Sequence, residues 1–173
     1  MDMRLTEERS RLVRDVAEQA LVKLVAGNET EQGKGGCLQV FHVTPVPCNR
    51  GSITTPEPLF ACCFDGVNRG KMEKYIRFAT EKALRLYGGF FNEQHRASCQ
   101  SRDRATEKYA GAITVCARHG EGRISEWIIL SFSGLSELMD HELVIRIAEG
   151  LREHGWDIED DLDVLRKLAP LSD

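Results

Sequence analysis

No uninterrupted apolar run in the 173 residues is long enough to span a bilayer. There is no G-x-S-x-G, P-loop or Rossmann fingerprint. Ser, His and Asp are present, but no spacing among them assembles a triad. None of the six cysteines forms a C-x-x-C pair, which removes the usual support for a structural zinc site. Basic charge is not in excess: 23 Lys and Arg stand against 27 Asp and Glu, for a net charge of −4. That balance argues against a nucleic-acid partner and against a membrane surface. Residues 1–19 mix acids with arginines from the start, so they fit neither a secretory signal nor a transit peptide. The expectation is a cytoplasmic protein with reduced thiols. Cys37, Cys62, Cys63 and Cys116 lie in strand-like apolar runs, where cysteine behaves as a small hydrophobe.

What is present reads as one domain with alternating helices and strands. Residues 7–26 carry Leu12, Val13, Val16, Ala17, Ala20, Leu21, Leu24 and Val25 at helical spacing, with Thr6 as the cap. A polar, glycine-rich link leads to a strand at 37–43, rich in β-formers. Four of the five prolines then fall within residues 44–58. Proline cannot donate to a sheet ladder, so this stretch is predicted to be an extended loop. A second, apolar strand follows at 59–64. Asn68 can cap a helix over 69–87, whose stripe is Met72, Tyr75, Ile76, Ala79, Ala83 and Leu86, with Gly88-Gly89 as its stop. Residues 90–107 are polar and long for a structureless loop, so they form either a lid or a segment containing a helical turn. Strands at 109–117 and 124–132 are close enough to pair as a hairpin. The second of these leads through Ser133-Gly134 to a helix over 137–154, capped by Ser136. The predicted fold class is α+β, in the order α-β-β-α-β-β-α, with helices packed on an antiparallel sheet. The domain covers residues 1–156. Residues 157–173 form an acidic tail whose apolar positions suit a short helix against the domain or a partner.

Two motifs carry a family resemblance. The second helix contains Ala79-Thr80-Glu81-Lys82-Ala83, an A-x-x-K-A pattern. The last strand and helix contain Ser133-Gly134-Leu135 and Asp140-His141-Glu142-Leu143-Val144. In this order they resemble the GlcG/HbpS haem-degrading-domain family, which includes the C-terminal domain of PduO-type proteins. The match is closest to its uncharacterised SGL…DHELV branch and covers residues 5–155. The resemblance implies a profilin-like antiparallel sheet flanked by helices, homo-oligomeric assembly, and a small anionic ligand or cofactor, with haem as the cofactor some members bind.

The candidate binding residues are Lys82, His95, Ser133, Gly134 and His141, between the second helix, the basic loop and the start of the last helix. Free backbone N–H groups collect at a helix N-terminus, so Ser133-Gly134 can form an anion-binding turn; the alternative is a tight turn that needs glycine for its backbone. Lys82 can meet a ligand carboxylate, an acidic neighbour or solvent. His141 can ligate haem or metal, or sit at a surface or interface. His95 and Cys99 share one face if their segment is helical. Arg96, Arg102, Arg104 and Lys108 can steer an anion to that loop. Cys99 is the thiol expected to be most exposed and so the candidate for redox chemistry. His42, between Phe41 and Val43, reads as packed. No catalytic set emerges. The rival to a small-ligand-binding protein is a non-enzymatic scaffold with the same fold.

Overall fold

The computed structural model describes residues 7–48, 51–64, 69–86, 96–101, 103–119 and 124–169. The proposed caps Thr6 and Asn68, the Gly88-Gly89 stop and His95 lie outside them. The helices are α1 (Glu7–Ala26), α2 (Arg69–Leu84), α3 (Glu137–Glu153) and α4 (Leu162–Lys167). The strands are β1 (Cys37–Cys48), β2 (Gly51–Cys63), β3 (Ala112–His119), β4 (Ile124–Ser133) and β5 (Asp157–Ile158). All pairings are antiparallel, in one sheet of order β2-β1-β4-β3-β5. No helix among the described residues is long and apolar enough to cross a membrane.

Alternation along the strands gives the sheet two distinct faces. Leu38, Val40, Ile113, Val115, Ala117, Ile128, Leu130 and Phe132 point to one face and join α1 and α3 in the larger core. Phe41, Val43, Ala112 and Ile129 point to the other and meet Ala83 of α2 and Leu86 just beyond its end. The apolar faces of α1 and α3 follow the sequence pattern. In the second helix's stripe Ala79, Ala83 and Leu86 are buried as expected, but Ile76 is exposed, while Phe78 is buried edge-on against Tyr109, ring centroids 5.4 Å apart.

Residues 44–58 are not a loop. β1 and β2 form one long hairpin that takes in all four prolines, and its geometry explains how. Cys37 and Cys63 face each other with Cα atoms 4.2 Å apart, the close spacing of a non-hydrogen-bonded pair. Counting along β1 by twos, Pro45 and Pro47 fall in the same class. Their cross-strand relatives Pro56 and Pro58 stand opposite Val43 and Phe41, again in that class. All four proline nitrogens therefore turn out of the β1–β2 ladder, where no N–H is required. For Pro45 and Pro47 the outward side is that of β4, and the β1–β4 pairing ends at Val43↔Trp127. The hairpin continues for five more pairs, Thr44↔Thr55 to Cys48↔Gly51, beyond the last β1–β4 pair among the described residues.

The cysteines also depart from the reduced expectation. Cys37 and Cys63 form a disulfide, because the register sets them directly opposite. Cys62, half-buried, and Cys99 and Cys116, both buried, are in no disulfide among the described residues. The polar stretch before β3 holds two single-turn 3-10 helices, Ser98–Ser101 and Arg104–Thr106. The tail forms β5 and α4. Ile158, Leu162 and Leu165 belong to the larger core, and β5 covers the outer edge of β3.

Candidate functional site

Lys82 lies on the buried side of α2, in line with Ala79 and Leu86, and is 1% exposed. A buried ammonium needs a partner. Its Nζ donates to Asp140 Oδ2 at 2.6 Å and to the Phe132 carbonyl at 2.9 Å. Asp140, in the first turn of α3, is 3% exposed. Its other oxygen, Oδ1, accepts the Leu135 N–H at 2.9 Å. Burial pushes the Asp140 carboxyl up to about 6, with the Lys82 charge and hydrogen bond pulling the other way.

Two of the chain's own carboxylates take backbone N–H groups at the approach to α3. Ser136 is the N-cap, but its side chain makes no capping bond. Instead Asp140 takes the Leu135 N–H, and Glu31 Oε1 takes the Ser136 N–H at 3.2 Å. Glu31 comes from a single 3-10 turn, Glu29–Glu31, is itself buried, and pairs with Lys34 at 3.0 Å.

Two glycines make the closure sterically feasible. Gly111 has φ +120°, and a Cβ there would lie 2.7 Å from Asp140 Cβ and 2.9 Å from Lys82 Nζ. Gly134 packs directly on the Gly35–Gly36 backbone, leaving no room for a side chain. Ser133 is buried and paired with Cys37 in the β1–β4 ladder. The SGL turn is thus a tight strand-to-helix connection.

The five sequence-derived residues therefore separate. Lys82, Ser133 and Gly134 gather around Asp140. His141, 1% exposed, belongs to a different contact. Its Nε2–H donates to the Leu165 carbonyl of α4 at 3.0 Å, and its Nδ1 is buried without a partner. Burial lowers the His141 pKa. Cys99 is buried rather than exposed, and burial raises its thiol. The described part of the basic loop is held by Arg85, just past the end of α2: Arg85 Nη1 donates to the Ser98 and Ser101 carbonyls, and Nη2 to that of Tyr109. Arg96 is spent on Asp160 and stacks over Trp127, its guanidinium carbon 4.7 Å from the ring centroid.

Asp140, Glu31, Gly111 and Arg85 were not among the predicted residues. Lys82 left one signal, a lysine on the apolar row of α2 with Ala79 and Leu86. Glu31 left none within its polar link. Among the described residues no group of three His, Cys, Asp or Glu side chains could hold a metal ion. A groove of about 280 Å³ runs between α1, α3 and α4, lined by charges of both signs from Lys23, Glu142, Arg146, Glu149 and Arg166. None of the predicted residues lines it. Comparison with family models, with curated proteins and with solved structures finds no match to this chain.

Proposed function

We propose that the chain is a non-enzymatic interaction module that assembles with copies of itself through the β1–β2 hairpin. The observation that carries this reading is the five-pair extension of the hairpin beyond Val43↔Trp127. At about 3.3 Å per residue it runs about 16 Å past the last β1–β4 pair. A two-stranded ribbon is marginal in water without a surface to pack on. Pro45 and Pro47 leave the β1 side of the ribbon without the donors that strand addition requires. The ribbon is read as an arm laid on a second copy. The GlcG/HbpS resemblance supports the same reading, since it implies a profilin-like homo-oligomer. The mutual satisfaction of Lys82 and Asp140 favours a module over a small-ligand site there.

Replacing residues 45–54 with Asn-Gly shortens the arm and keeps the part of the hairpin that belongs to the sheet. Light scattering should show wild type as an oligomer and the shortened chain as a monomer with an unchanged circular-dichroism spectrum. A monomeric wild type, or equal masses for both, overturns the reading. Hemin titration tests the rival ligand-binding function. A saturable Soret shift lost in His95→Ala or His141→Ala would restore the haem site.

A further inference from the structure

β2 carries two adjacent cysteines, and one inserted residue decides which of them meets Cys37. In the tip half of the hairpin the pairs run from Cys48↔Gly51 to Phe41↔Pro58. In the base half they run from Val40↔Phe60 to Cys37↔Cys63. Leu59 is the extra residue between them, a β-bulge. If the tip register continued to the base without the bulge, Gln39 would stand opposite Phe60, Leu38 opposite Ala61, and Cys37 opposite Cys62.

We infer that the Cys37–Cys63 disulfide locks the bulged register, with Cys62 as the alternative partner, so that thiol–disulfide exchange switches the base of β2 by one residue. A one-residue slip turns every side chain of the segment to the opposite face. In the bulged register Leu59, Phe60 and Cys62 pack against the larger core. In the bulge-free register Cys62 joins Cys37 on the α2 face, and the hairpin gains an unbroken ladder. Core contacts favour one register and ladder continuity the other, so the covalent bond selects between them.

The exchange is balanced within the chain. The Cys62 thiolate attacks the Cys37 sulfur, and the Cys37–Cys62 bond forms as the Cys37–Cys63 bond breaks. The electron pair leaves on Cys63, which takes up a proton in place of the one Cys62 released. No oxidant or reductant is consumed. The native register holds this step off, because Cys62 lies toward Arg14 and Glu18 of α1 and burial pushes its thiol up to about 12. Exchange therefore requires the base of β2 to loosen. Among the described residues β2 is an edge strand, paired with β1, and its exit is held by the Phe64 N–H donating to the Gly36 carbonyl at 2.9 Å. The slip moves Phe64, now 6.4 Å from Phe132 between ring centroids, about 3.3 Å along the ladder.

The test uses the full chain in a glutathione redox buffer at pH 8.5, with disulfides mapped by peptide fragmentation. Cys63→Ser should yield a Cys37–Cys62 disulfide, and hydrogen exchange at Leu59 should slow at least tenfold as the bulge disappears. A folded Cys63→Ser with Cys37 and Cys62 both free, in a buffer that oxidises wild type, overturns the inference. Should Cys63→Ser fail to fold, wild type decides. Its Cys37–Cys62 fraction should rise at least tenfold over protein alkylated without buffer, and no rise overturns the inference. Cys62→Ser should keep the Cys37–Cys63 bond and show no second species; a second Cys37 disulfide in that variant also overturns it.

Discussion

Lys82 and Asp140 stand 2.6 Å apart with both side chains withdrawn from solvent, joining α2 to α3 across the end of β4. The Phe132 carbonyl and the Leu135 N–H complete their hydrogen bonding, so the pair is neutral and satisfied as a unit. Breaking it from one side is then costly. Asp140→Asn, which leaves a buried ammonium, should lower stability in urea by about 3–5 kcal/mol. Lys82→Met with Asp140→Leu removes both charges and should lose far less. If the double variant is as unstable as the single one, the charge pairing is not what holds this junction.

Gly111 provides a second handle on the same junction. Its positive φ and the closeness of Asp140 and Lys82 both oppose a side chain. Gly111→Ala should destabilise by more than about 1 kcal/mol, since alanine at positive φ costs more than it gains from a stiffer unfolded chain. Thermal unfolding measures this directly. A wild-type midpoint would mean that the backbone there relaxes freely.

His141 gives the fold a pH dependence whose sign follows from its lowered pKa. In the window from 6.5 down to the folded pKa, the unfolded chain binds the proton and the folded one does not, so stability falls as pH falls. Asp140 acts in the opposite sense: with its pKa raised to about 6, its contribution is complete below 3.8 and is lost as pH rises through 6. The two partly cancel, so wild type alone does not separate them. Urea midpoints for wild type and His141→Gln between pH 5 and 7.5 do. The variant should lose less stability on acidification, and parallel curves would exclude His141 as the titrating group.

Truncation after Trp156 should damage the domain itself. It removes Ile158, Leu162 and Leu165 from the core, at about 1.5–3 kcal/mol for each fully buried aliphatic side chain. It also uncovers the outer edge of β3 and frees His141 from Leu165. The expected outcome is an unfolded or aggregating chain. A truncated protein with native circular dichroism and a wild-type melting temperature would show that the tail is dispensable to the fold.

Sequence alone determined the elements whose periodicity is unambiguous. The faces of α1 and α3, the β3–β4 hairpin and the antiparallel α+β class follow from apolar spacing and short connections, because burial acts locally on such patterns. Tertiary structure decided everything that depends on which strand lies beside which. The prolines of 44–58 are compatible with a ladder only when their nitrogens face outward, and pairing parity is not encoded in composition. The Leu59 bulge, which sets Cys63 rather than Cys62 opposite Cys37, is likewise a fact of register. Lys82, Ser133 and Gly134 could be singled out as chemically suggestive. What they do was fixed by Asp140, Glu31 and Gly111, brought from 58, 51 and 29 residues away from Lys82 by the packing of α2 and α3 against one sheet. A charge's role depends on whether its partner is solvent, ligand or another side chain, and only the folded chain supplies the partner.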